Sequence, residues 1–465
     1  MSMPATEDET LPREAPTGED YGLHHEDVAR CVDALDAGDT AAVQAVAESL
    51  HAADAADLIE ALNPDQRVQL VRELGSAFEP ETLSYLQAPV REEVLDHIGP
   101  RGLASALAAL ESDDAVEIFE DLDPSFQQRI LTQLPEGYRL ILEEAIAFPE
   151  DSAGRLMQRE VAVIPVGWTV GETIDFMRSA VHLPADFYDL YVVDPKHKPQ
   201  GKVPLSRVLR TKRATPITEI MEGDLNTVPY TMDQEEVAYL FRQYGLVSAP
   251  VLDDAERVIG MITVDDIVHV IDEEAEDDLM KLGGVGESDL YGRLIETTRS
   301  RASWLVVNLG TAVLASLVIG LFEATLQQVV ALAVLMPIVA SMGGNAGTQT
   351  LTVAVRALAM KDLTPANTVR FIGKELTVGF LNGVVCAVPT GIVAWLWFGR
   401  LDIGVIITLA MIVNLIVAGL FGTLVPITLE KLRIDPAVAS TVFLTTITDV
   451  VGFFAFLGMA ALFLL

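Results

Sequence analysis

Five uncharged runs dominate the end of this chain. Residues 302–322, 324–355, 376–399, 403–429 and 436–465 contain no acid or base except Asp449. At 1.5 Å of rise per residue each run is long enough to cross about 30 Å of hydrocarbon as a helix. The pattern therefore predicts five transmembrane helices, each closing its backbone hydrogen bonds within itself. Arg356, Lys361, Arg370, Lys374, Lys431 and Arg433 fall on one side of such a bundle and only Arg400 on the other. By the positive-inside rule the preceding 300 residues are expected in the cytoplasm and the C-terminus on the periplasmic or extracellular side; the expected membrane is a bacterial-type inner (plasma) membrane.

The charge of the chain lies elsewhere. Only seven of its 67 acidic and eight of its 31 basic residues follow position 300, so the first part carries −37 of a net −36. Such a charge repels nucleic acid and anionic lipid, and counter-cations relieve its self-repulsion. Cys31 and Cys386 lie far apart, which leaves no disulfide framework or zinc cluster to read. No GxxxxGK[ST] phosphate loop, Ser-His-Asp set or HExxH helix is present. An enzyme or an ATP-driven pump would have no visible engine, and the chain is read as neither.

Residues 1–24 are acidic and rich in Pro and Thr, lack the basic and apolar regions of a cleavable signal, and read as a disordered tail. Residues 25–150 read as stacked helical hairpins. HAADAADLIEALNPDQRVQLVREL from His51 aligns without a gap to ESDDAVEIFEDLDPSFQQRILTQL from Glu111, a period of 60 in which each second helix begins on a Pro. Residues 151–271 alternate short β-branched runs with helical ones and are duplicated: Val192-Val193-Asp194 and Gly201 return as Val251-Leu252-Asp253 and Gly260. This β-α-β-β-α duplication resembles a tandem pair of CBS domains, which usually act as regulatory sensors. Residues 272–300 form an acidic connecting helix, whose pattern starts near Val264, and a hinge at Gly283, Gly284 and Gly286; residues 301–465 form the five-helix membrane domain. The expected fold is multi-domain: an all-α helical-repeat domain, an α/β pair and an α-helical transmembrane bundle.

Asp449 is the sharpest candidate, because an acid at mid-span costs about 2.5–3.5 kcal/mol on insertion scales and is usually retained for a pathway. Thr445 and Thr441 lie four and eight residues before it, on one helical stripe. A hydrated hard cation is recognised by such a set of oxygens through retained water. The competing readings are an inter-helix hydrogen bond for Asp449 and bonds back to the helix backbone for the threonines. Pro337 and the polar run Ser341–Thr350, with Asn345, predict a broken second helix that exposes carbonyl oxygens; close packing through small residues is the alternative.

PIVASMGGNAGTQT from Pro337, NLIVAGLFGTLVP from Asn414 and DPAVASTVFLTTITDVVGFF from Asp435 resemble the signature segments of MgtE-type magnesium transporters. With the helical repeat, the CBS pair and the helix count, the resemblance covers nearly the whole chain. It implies a homodimeric magnesium channel in the lipid bilayer with a central pore, closed when cytosolic magnesium fills acidic sites between the soluble domains and the connecting helix. Asp449, Asn345, Thr445 and Thr441 are then the pore candidates for hydrated divalent cations. Asp266, Glu274, Asp277 and Asp278 of the connecting helix, Asp113, Asp114 and Glu117 of the repeat, Glu222 and Asp224 between the CBS halves, and Asp435 are the regulatory candidates. Like charges three and four apart on that helix destabilise it by a few tenths of a kcal/mol per pair, which bound cations would relieve; a solvated acidic face and helix capping are the rival readings. His269 stands where another acid would be unsurprising. Thr263 and Asp266 also match the Gly-x-x-Thr-x-x-Asp pattern with which some CBS domains hold the ribose of ATP, although the same pair serves equally as a helix cap. The alternative to conduction is a membrane-anchored divalent-cation or nucleotide sensor that transports nothing.

Overall fold

A computed structural model describes residues 22–180, 183, 184, 187–285 and 294–464. The tail up to residue 21 and Gly286 of the hinge lie outside the described residues. The chain forms two compact units, one ending at Val270 and the other beginning at Ile271.

The helical part of the first unit keeps the period of 60. Helices Ala52–Ala61 and Pro64–Leu74 recur as Ser112–Glu120 and Pro124–Leu131. Buried Leu58, Ile59, Leu70 and Leu74 recur as Ile118, Phe119, Ile130 and Leu134. Each Pro-initiated helix is capped by the residue before it: Asn63 accepts from the Gln66 amide at 3.0 Å and Asp123 from the Ser125 amide at 2.8 Å. A polar tie recurs as well. Arg67 Nε donates to the Ile59 carbonyl at 2.9 Å, and Gln127 Nε2 donates to the Phe119 carbonyl at 2.9 Å. Both satisfy the carbonyls left open at the end of the preceding helix.

Two three-stranded sheets follow. In the first, β1 (Val163–Pro165) runs parallel to β2 (Asp189–Val193), which pairs antiparallel with β3 (Pro199–Pro204). In the second, β4 (Val228–Pro229), β5 (Ser248–Leu252) and β6 (Val258–Thr263) repeat that order. Even the irregularities match, at Val192/Val193 and Val251/Leu252. The modules exchange their leading segments: Gln158 pairs with Met261 of β6, and Glu222 with Lys202 of β3. Gly201 and Gly260 make this possible, since a Cβ on Gly260 would lie 2.6 Å from the Gln158 carbonyl oxygen and one on Gly201 would collide with that of Glu222.

The connecting helix spans Val264–Gly283 and ends at Gly284, whose φ of +69° lies in the left-handed region. Among the described residues of the second unit five helices are long and apolar enough to cross a membrane, with spans Thr297–Gly320, Ala331–Ala359, Thr368–Phe398, Leu401–Lys431 and Thr441–Leu464. The fourth is central: its Ile403, Ile407, Ala410 and Met411 bury against Leu335 and Val339 of the second, Ala387 of the third and Phe456 and Leu457 of the fifth.

The second membrane helix is not broken. It runs continuously from Ala331 to Ala359 through Pro337 and the glycine-rich run. Tertiary packing replaces the stability that glycine withholds. Gly347 lies against Leu444 of the fifth helix, and Gly343 against Asn414 of the fourth, each so closely that a Cβ would collide. The carbonyls expected to be free are therefore held in the helix.

Candidate ion path and regulatory sites

In the membrane unit the fifth helix runs from Pro436 to Leu464, and Asp435 caps it by accepting from the Ala437 amide at 2.7 Å. Fourteen residues beyond that cap, half-buried Asp449 makes no hydrogen bond or ion pair among the described residues. Among the described residues the inter-helix bond that competed with a pathway role is thus not made. One turn earlier, Thr445 donates to the Thr441 carbonyl at 2.9 Å, the bond back to the helix, so its hydroxyl presents only lone pairs outward. Thr441 donates to the Leu282 carbonyl at 3.3 Å. It therefore ties the end of the connecting helix to the fifth membrane helix instead of extending the Asp449 stripe. On the second helix Asn345 is exposed, with its Nδ2 3.4 Å from Ser341 Oγ. Thr348 and Thr352 continue the same exposed polar face, which the sequence reading did not single out.

The end of this unit that holds the close of the connecting helix carries a charge cluster. Lys281 Nζ is 2.8 Å from Asp435 Oδ2 and also pairs with Asp277. Partial burial disfavours its charge, but hydrogen bonds to Asp277 and Asp435 outweigh that and push the ammonium well up. Burial, with Asp435 and Asp277 close by, raises Asp278 to about 6. Two of the expected cation ligands, Asp277 and Asp435, are therefore occupied by a lysine, while Asp278 remains in excess. Leu282 packs beside this clasp against Leu351, Val355 and Leu444.

In the first unit the repeat and the start of the connecting helix share a second acidic cluster. Ser112 Oγ donates to Glu160 at 2.7 Å and accepts from the Arg159 amide at 2.7 Å, and Gln158 Nε2 is 2.5 Å from Glu111, which fixes the Ser112–Glu120 helix in place. Partial desolvation and then Asp114, Asp266 and Asp265 push Glu111 up to about 7. Burial, followed by Asp266, Asp114 and Glu111, raises Asp113, whose Oδ1 is buried with no partner. Burial, with Glu117 and Asp266 nearby, raises Asp114 to about 6. Asp113, Asp114 and Asp266 are thus brought together, and Glu111 and Asp265 join them. Glu117 is held at 2.7 Å by Arg91. Among the described residues no three acidic, His or Cys side chains are arranged to hold a bare metal ion. His269 stacks edge-on to Tyr85 at 5.9 Å, on the other side of which lies His51.

The Thr263 and Asp266 pair makes the helix cap: Thr263 Oγ1 donates to Asp266 Oδ2 at 2.6 Å. A cleft of about 700 Å³ opens elsewhere in the CBS pair, between Tyr188, Leu209 and Tyr244 and above Asp189 and Lys202. Lys202 and Asp189 pair at 2.7 Å, and Ser248 Oγ donates to Asp189 at 3.1 Å. Glu222 and Asp224 line this cleft, and Glu222 pairs with Arg207 at 2.5 Å. Neither belongs to the Asp113 cluster.

These elements define a polytopic membrane protein with a helical-repeat domain and a CBS pair. Family models agree: a divalent cation transporter model matches residues 336–459, an MgtE intracellular N domain 50–151 and a CBS domain 217–273. The magnesium transporter MgtE of Thermus thermophilus is 33% identical over 439 residues, 93% of this chain and 97% of the relative. That of Bacillus subtilis is 27% identical over 424 residues, 88% and 94% of the two chains. A crystal structure titled as the cytosolic domain of the Mg2+ channel MgtE in complex with ATP is 32% identical, with a TM-score of 0.49, over 52% of this chain and 99% of that one. The chain belongs to the MgtE family.

Proposed function

We propose that this protein conducts magnesium through a homodimeric pore in the inner membrane, with its soluble domains in the cytoplasm, and that cytosolic magnesium closes it. The observation that carries the reading is Asp449, a carboxylate retained inside a membrane helix with no partner among the described residues. Dimerisation would bring two copies of this acid to one axis, flanked by the polar face of Asn345 on the second helix. Magnesium gives up its waters reluctantly and keeps several, so oxygens at this spacing would recognise it through its hydration shell. Closure would follow from ions entering the Glu111, Asp113, Asp114, Asp265 and Asp266 cluster and the acidic face that includes Glu274, Asp277 and Asp278, where they favour whichever state brings like charges together. Glu222 and Asp224 line the CBS cleft, where Tyr188, Leu209 and Tyr244 would suit an adenine ring, so ATP would bind there.

Magnesium flux into proteoliposomes tests the reading. Asp449→Asn is expected to abolish most of the flux of the native chain without loss of folded protein. Unchanged flux would remove Asp449 from the path, and absence of flux from both proteins would favour the sensor.

A further inference from the structure

The fourth membrane helix carries an amide where hydrocarbon would pack with less penalty. Asn414 is fully buried; its Nδ2 donates to the Val339 carbonyl at 2.9 Å, and its Oδ1 is buried without a partner. A leucine has the same branched shape and would leave no orphaned oxygen, so a benefit other than packing must favour the amide. Its neighbours indicate what that is. Gly343 of the second helix and Gly452 of the fifth both press against the Asn414 amide, and a Cβ on Gly452 would lie 2.7 Å from Nδ2, with one on Gly343 closer still. Val339 is one helical turn before Gly343, so the hydrogen bond and the glycine contact engage the same turn of the second helix.

One amide is therefore clamped between two helices from behind. Ahead of it on the second helix is Asn345, two residues beyond Gly343, and on the fifth is Asp449, three residues before Gly452. We infer that Asn414 is a positioning residue that fixes the spacing of the second and fifth helices and thereby the discrimination between hydrated divalent cations. The inference rests on the reading that these two helices line the path. An aperture that recognises ions through their water shells is sensitive to sub-ångström spacing, and the directional Asn414–Val339 bond fixes that spacing where apolar contacts would let the helices slide.

The test compares Asn414→Leu and Gly343→Ala with the native full-length chain in proteoliposomes, measuring magnesium and calcium flux. In parallel, nitroxides at Val334→Cys and Leu462→Cys report the distance between the two helices, in a background with Cys31 and Cys386 replaced and diluted with unlabelled protein. Asn414→Leu is expected to melt no lower than the native protein, yet to lose about tenfold in magnesium-over-calcium flux ratio and to shift or broaden the label distance. Gly343→Ala keeps the amide but forces it aside, so it should show the same loss, and the double variant should be no worse than either single one. A folded Asn414→Leu with the native flux ratio overturns the proposal, as does a fall in ratio with an unchanged distance or a fall in melting temperature alone. Absence of magnesium flux from the native chain would sink the transport reading and the selectivity claim with it, while the label distances would still decide whether Asn414 sets the spacing.

Discussion

Single residues carry much of this architecture through the backbone they admit or the carbonyl they satisfy. Gly260 lets the Gln158 backbone reach β6, whereas Gly223 has open space around it. Gly260→Ala should destabilise the first unit by about 1–3 kcal/mol through overpacking, lowering its urea midpoint, and Gly223→Ala should leave that midpoint unchanged. Equal effects of the two would disprove the close-approach argument. Arg67 reaches the Ile59 and Glu60 carbonyls and Glu93 at 2.9–3.0 Å. Arg67→Met strands those groups and should cost about 2–3 kcal/mol, measurable in the same denaturation. Sequence periodicity exposed the apolar +60 pairs but not this tie, because Arg67 and Gln127 are different side chains performing the same task.

At the level of elements the proposed regulation falls to the connecting helix. Its acids are legible in the sequence; the clasp at its end is not, because Asp435 is 154 residues from Lys281. Neutralising Glu274, Asp277 and Asp278 together should leave conduction intact and weaken closure by internal magnesium in patch recordings. Lys281 makes a separate prediction, since its ammonium already occupies part of the acidic site. Lys281→Gln should lower the magnesium concentration for half-closure several-fold, and exchanging the charges as Lys281→Asp with Asp435→Lys should restore it, as expected for a coupled pair. Failure of the exchanged protein to recover would mean that the pair contributes nothing to gating. The second membrane helix teaches the reverse lesson: a run that reads as helix-breaking is helical because Asn414 and Leu444 fill the space its glycines leave.

The whole molecule is acidic, and partial burial, followed by the repulsion of neighbouring carboxylates, raises the proton affinity of several of its acids. Glu111 at about 7 and Asp114 and Asp278 at about 6 all lie above the usual carboxylate value near 4. A carboxyl that holds its proton more tightly folded than unfolded releases it on unfolding, so without divalent ions stability should fall as pH rises from about 5 to 7.5. Magnesium replaces the protons, so it should stabilise the protein more at pH 7.5 than at pH 5. Melting curves at the two pH values with and without magnesium decide this; an equal magnesium effect at both would dissociate ion binding from these acids.

The sequence by itself determined the parts. Charge distribution, five apolar runs, a 60-residue repeat and a doubled β-α-β-β-α pattern are local or periodic properties, and they specify the elements and the membrane class. Asp449 was legible for the same reason, as one charge in an uncharged run. Only the tertiary structure decided which polar groups meet: Glu111 and Asp265 beside Asp113 and Asp266, Lys281 on Asp435, and Asn414 between two glycines. Those juxtapositions join residues far apart in the chain, and their energies depend on burial and on distances of a few ångströms that no one-dimensional spacing encodes.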